Sequence, residues 1–82
     1  MTQSIEAIYT AHAHATGGRA GKTASGNLDL QLSVPKEMGG PGGDGANPEQ
    51  LFAMGYAACF IGAMQFVGNR DKIKVPADAS ID

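Results

Sequence analysis

The chain has 82 residues, of which 12 are Gly, 8 acidic, 6 basic and 1 Cys. At that length it is one domain at most and buries only about 60–65% of the surface its unfolded form exposes. A formal charge of −2 and a sequence pI near 5.5 leave no electrostatic footprint for nucleic acid or an anionic membrane. A single cysteine excludes an internal disulfide scaffold.

The first residues, Met-Thr-Gln-Ser-Ile-Glu, lack a basic region followed by an apolar one, so no signal peptide is expected and the cytoplasm is the expected compartment. Residues 5–16 alternate, with Ile5, Ala7, Tyr9, Ala11, Ala13 and Ala15 on one face and Glu6, Thr10, His12, His14 and Thr16 on the other. Period two predicts a half-buried antiparallel strand. Gly17-Gly18 supplies a turn able to take positive φ. Ala20–Ser25 forms a short middle strand in this reading, and Ser25-Gly26-Asn27 the next turn. Leu28, Leu30, Leu32 and Val34 alternate with polar residues as a further strand, and Pro35 closes the meander. Strands thus fall within about 4–34.

A Gly-rich loop follows over 37–47, Met38-Gly-Gly-Pro-Gly-Gly-Asp-Gly-Ala46. It lacks the Lys-Ser/Thr of a nucleotide-binding loop and reads as a flexible lid or spacer. Asn47 as N-cap, Pro48 at the first helical position, Glu49 in the first turn and Gln50 three residues past the cap open a helix expected over about 48–70. Its stretch 51–64 is uncharged. That stretch is short for a transmembrane span, so a buried core helix is expected instead. Gly55, Ala58, Gly62 and Ala63 would admit another backbone closely, while Phe52, Cys59, Met64 and Phe66 carry bulk. A helix apolar nearly all round needs cover on every side. Three short strands do not provide it, which calls for more chain or a second subunit. The final Ala79-Ser-Ile-Asp82 reads as the opening of another strand. The chain is therefore expected to be a C-terminally truncated portion, 1–82, of a longer domain.

Cys59 is the residue on which function turns. A thiol left among apolar neighbours is a small inert hydrophobe; held against a cation it becomes a strong nucleophile. The helix dipole helps little twelve residues past the cap, because its effect fades after the first turn. A side-chain cation is needed. Arg19, next to Gly17-Gly18, has the reach and a permanent charge; its plainer reading is a solvated turn arginine. Arg70, about 16 Å further along the helix, is a poor partner. Glu49 either complements the helix dipole or grips and aims Arg19. It lies ten residues before Cys59, about 15 Å of rise, so one guanidinium serves both only if the helix breaks or bends near Gly55-Tyr56. His12 and His14 share one strand face, but two ligands without a third make a weak metal site.

Taken together, Thr16-Gly-Gly-Arg19, Ala46-Asn-Pro-Glu-Gln-Leu-Phe52 and Gly55-Tyr-Ala-Ala-Cys-Phe60, with the trailing Lys72-Ile-Lys-Val-Pro-Ala-Asp-Ala79, resemble the organic hydroperoxide resistance (Ohr) branch of the OsmC/Ohr family. Tyr56 is closer to that branch than to its OsmC siblings, which tend to carry a histidine nearby. The resemblance implies an α+β fold: an antiparallel meander followed by a long buried helix, the N-terminal part of an intertwined homodimer with helices sandwiched between sheets. It implies a thiol-dependent peroxidase that reduces organic hydroperoxides, fatty-acid ones included. Cys59 is then the peroxidatic residue, Arg19 the stabiliser of its thiolate and Glu49 the acid that orients Arg19. It implies no bound cofactor or metal, and reduction by an external dithiol of the lipoyl or dihydrolipoamide type, such as a lipoylated protein. Ala20 stands where the family turn usually has an acid, and the family's resolving cysteine has no counterpart in these residues. The alternative reading is a non-catalytic, truncated module that binds hydrophobic ligands or partner chains through its helix.

Overall fold

A computed structural model describes residues 8–82. The chain divides into two compact units, Met1–Asn47 and Pro48–Asp82, each described by itself. The first is a three-stranded antiparallel sheet in the order β1-β2-β3, with β1 His14–Thr16, β2 Lys22–Ser25 and β3 Leu28–Gln31. His14, Ala15 and Thr16 face Ala24, Thr23 and Lys22. Lys22, Thr23, Ala24 and Ser25 face Gln31, Leu30, Asp29 and Leu28. The β2–β3 connection is the two-residue Gly26-Asn27, with Gly26 at φ 57°, a conformation that costs Gly little and other residues more.

β1 is shorter than the alternation over 5–16 predicts. Residues 8–13 lie outside any strand, and residues 5–7 fall outside those described. The β1–β2 ladder ends at the pair His14 and Ala24, one residue before β2 itself ends at Ser25. Only a side chain continues the link, Ser25 Oγ donating to the His12 carbonyl at 2.6 Å. β3 likewise ends at Gln31, before Val34. Leu32, next along, is the one buried apolar residue among those described, 5% exposed.

The Gly-rich segment is not the spacer that composition suggests. A 3-10 turn over Lys36–Met38 opens it. The chain then folds back on the end of β3 through a parallel bridge between Leu32 and Ala46. Gly42 N donates to Val34 O at 2.9 Å, Ala46 N to Gln31 O at 3.0 Å and Ser33 N to Ala46 O at 2.8 Å. Backbone bonding, invisible to a composition reading, gives the loop a shape.

The second unit is one helix, α1, over Pro48–Asp71, and a tail. Pro48 begins it as expected, and it ends one residue past Arg70. α1 runs without a break through Gly55 and Tyr56, the place where a break or bend is the condition for one guanidinium to serve both Glu49 and Cys59. One Gly costs about 1 kcal/mol in a helix, which the flanking Ala53, Met54, Ala57 and Ala58 absorb. Lys72 takes φ 60°, and Ile73 N donates to Gly68 O at 2.8 Å, the six-to-one bond of a Schellman stop. Ala79 N closes a turn on Pro76 O at 3.2 Å, and residues 79–82 form no strand, since a strand needs a partner to pair with.

Within this chain α1 is largely uncovered, the condition that called for more chain or a second subunit. Gly68 is the only buried residue of α1, while Phe52 is 73% and Phe66 69% exposed. Nor does length exclude a membrane, as the shorter uncharged stretch had suggested: α1 has 24 residues, and an 18-residue window of it reaches a mean hydropathy of 1.6.

Candidate functional site

Cys59 stands near the middle of α1 and is exposed. At 3.6 residues per turn it falls about 20° in azimuth from Phe52, two turns earlier, and about 60° from Tyr56. The thiol therefore borders an aromatic row built by four-residue spacing. The rings of Phe52 and Tyr56 stack at 5.8 Å between centroids and 25° between planes. Those of Tyr56 and Phe60 lie at 6.5 Å and 33°. Phe52, Ala53, Tyr56, Ala57 and Phe60, with Ile81 and Asp82 of the tail, line a hollow of about 480 Å³. Sequence reading placed Phe52 among the bulky positions but missed the row it forms with Tyr56 and Phe60; the spacing 52, 56, 60 is the signal that would have found it.

Glu49 is the second residue of α1 and sits in its first turn, where a carboxylate complements the N-terminal end of the dipole. It shares the helix with Cys59, about 80° away in azimuth and about 15 Å away in rise. A continuous α1 does not by itself bring the two side chains together.

Arg19 belongs to the other unit, in a 3-10 turn over Gly18–Ala20 that joins β1 to β2. Gly17 and Gly18 take φ 78° and 64°, so this hairpin tip depends on glycine. Gly21 closes it, its N–H donating to Gly18 O at 3.0 Å. A side chain at 21 would run into Thr16 O and lie 2.7 Å from Gly17 Cα. The Gly21 carbonyl in turn accepts from Leu32 N at 2.8 Å and from Gln31 Nε2 at 2.9 Å. The base of the arginine turn is thereby tied to the end of β3, and Ala20 does not prevent the turn from closing.

His12 and His14 are exposed and line a separate hollow of about 260 Å³ with Ala13, Ala24, Ser25 and Gly26. Among the described residues no group of three or more metal-ligating side chains comes together.

No family model matches the chain, but individual relatives do. It is 60% identical over 84 aligned positions to the organic hydroperoxide resistance protein of Xanthomonas axonopodis pv. citri, taking in 100% of this chain and 59% of that one. The crystal structure of an organic hydroperoxide resistance protein OsmC from Legionella pneumophila matches with a TM-score of 0.81 and 51% identity, covering 92% of this chain and 55% of that one. OhrB of Bacillus subtilis matches with a TM-score of 0.71 and 44% identity, over 85% of this chain and 53% of its own. The chain therefore spans a little over half the length of the relatives it matches. Identity along the whole chain and a shared course of sheet and helix agree: this chain belongs to the OsmC/Ohr family of organic hydroperoxide resistance proteins.

Proposed function

We propose that the chain provides the reactive thiol of a Cys-based reductase of organic hydroperoxides, fatty-acid hydroperoxides included, serving resistance to these oxidants. The observation that carries this reading is an exposed cysteine bordering an aromatic row on a helix, in a chain whose relatives are named for hydroperoxide resistance.

The Cys59 thiolate attacks one peroxide oxygen, the O–O bond breaks and the second oxygen leaves with a proton as the alcohol. Sulfur is oxidised to the sulfenic acid and the peroxide is reduced. Arg19 is assigned to the charge on the sulfur and on the departing oxygen, and Glu49 to aiming Arg19. A resolving thiol converts the sulfenic acid to a disulfide with loss of water, and an external dithiol of the lipoyl type reopens it by exchange. Cys59 is the only cysteine here, so the resolving thiol is supplied from outside these residues. The exposed apolar sides of α1 support a homodimer that covers them, and the cytoplasm is the proposed compartment.

One equivalent of cumene hydroperoxide, followed by dimedone trapping and mass spectrometry, tests the first step. Modification confined to Cys59 is expected; an unmodified Cys59 defeats the proposal. The exposure of α1 also supports a second reading, a non-catalytic module that binds apolar ligands or partners. Under that reading binding survives Cys59→Ser and no peroxide is consumed.

A further inference from the structure

Position 45 admits no side chain. A Cβ there would collide with Ser33 Oγ and lie 2.8 Å from both Gln31 O and Leu32 C, because the returning loop presses its backbone against the end of β3. The close approach therefore dictates glycine. The residue before it is Asp44, exposed, and the pair forms an Asp-Gly peptide. With no Cβ on the following residue to hinder attack, Asp before Gly closes a succinimide more readily than Asp before any other residue. The Gly45 nitrogen, on losing its proton, attacks the Asp44 side-chain carbonyl carbon, and water leaves. Hydrolysis returns one water and yields either Asp or the β-linked isoaspartyl peptide, with no redox change. The packing that demands Gly45 thus creates a weak point in the backbone.

The same packing guards it. Gly45 N donates to Ser33 Oγ at 2.9 Å, and Ser33 is itself held by its own N–H on Ala46 O at 2.8 Å. The proton that must leave is engaged, and the peptide is fixed on both sides, by Ala46 N on Gln31 O at 3.0 Å and Gly42 N on Val34 O at 2.9 Å. We propose that Asp44–Gly45 is a latent isoaspartyl modification site kept silent by the Ser33 hydroxyl. Conversion inserts one extra carbon into the main chain five residues before Glu49. Opening the loop is therefore recorded as a covalent change directly upstream of the helix start.

Incubating the 82-residue chain at neutral pH and warm temperature, then assaying with an isoaspartyl methyltransferase and peptide mapping, tests this. The native chain is expected to convert more slowly than a synthetic peptide spanning 41–49. Ser33→Ala is expected to convert roughly two- to tenfold faster than the native chain, the factor for losing a hydrogen bond worth about 0.5–1.5 kcal/mol. Ser33→Thr, which keeps the hydroxyl, restores the slow rate. Equal rates for native and Ser33→Ala chains overturn the proposal. So does a native chain that converts as fast as the peptide, a comparison that stands even where Ser33→Ala does not fold.

Discussion

Replacing glycine by alanine on α1 tests the local packing, because one substitution is expected to have opposite signs at different positions. In an exposed helix interior Gly→Ala stabilises by about 1 kcal/mol through backbone entropy. At Gly55 and Gly62 a Cβ would meet nothing within 4 Å, so the full gain is expected. At Gly68 it would lie 2.5 Å from Ile73 O and 3.0 Å from Val75 Cγ2. The backbone at Ile73 must then move, and with it the Ile73 N–H bond to Gly68 O that closes the helix stop. Losing that bond costs about 0.5–1.5 kcal/mol, and displacing Val75 costs apolar contact of about 1 kcal/mol. The propensity gain offsets only part of this. Gly68→Ala should therefore fall roughly 1.5–2.5 kcal/mol below Gly62→Ala. Urea unfolding followed by far-ultraviolet circular dichroism would show midpoints separated by about 1 M, for a slope of 1–2 kcal/mol/M. A Gly68→Ala chain as stable as Gly62→Ala would refute the account of the helix end.

Lys72→Gly removes a left-handed residue that costs about 1–2 kcal/mol and regains unfolded-state freedom of about 0.5–1 kcal/mol. A net rise in Tm of a few degrees should appear in a thermal melt, and a fall would contradict the stop geometry. Arg19→Ala should slow iodoacetamide alkylation of Cys59 at neutral pH by about fivefold or more, since a guanidinium near an anion is worth about 1–4 kcal/mol between water-like and surface-like dielectrics. An unchanged rate removes Arg19 from the proposed site. Glu49→Gln should slow peroxide consumption while lowering helix stability by no more than about 1 kcal/mol; full activity in a stopped-flow peroxide assay would withdraw its positioning role. Cys59→Ser should abolish peroxide consumption with the far-ultraviolet spectrum unchanged, and residual consumption would point to another group.

Much of the fold was legible because it rests on local chemistry. Gly17-Gly18 and Gly26 marked the hairpin turns through the positive φ that they adopt, and Asn47-Pro48-Glu49 marked the helix start within one residue. What failed was whatever depends on a neighbour. Alternation over residues 5–16 fitted a long strand, but pairing with β2 stopped at His14 and Ala24, short of the end of β2 at Ser25. The apolar run of α1 did announce a need for cover from more chain or a second subunit, and Phe52, Tyr56 and Phe66 are exposed here. Composition made the Gly-rich loop look slack, because hydrogen bonds such as Gly45 N to Ser33 Oγ leave no mark on composition. Of the candidate site, Cys59 and Glu49 could be put on one helix by counting residues. The tether that fixes the base of the Arg19 turn, Gln31 Nε2 and Leu32 N on the Gly21 carbonyl, had no sequence signal.

The bridge between Leu32 and Ala46 makes the segment between them an Ω-type excursion whose two feet are clamped together. Chain inserted at its exposed far end, around residues 36–39, lengthens a circuit that is already closed. By the logarithmic dependence of loop entropy on length, four additional residues would cost only about 0.2 kcal/mol. Insertions and deletions among relatives should therefore gather there, while the clamped ends deliver the backbone to Asn47 in an unchanged direction.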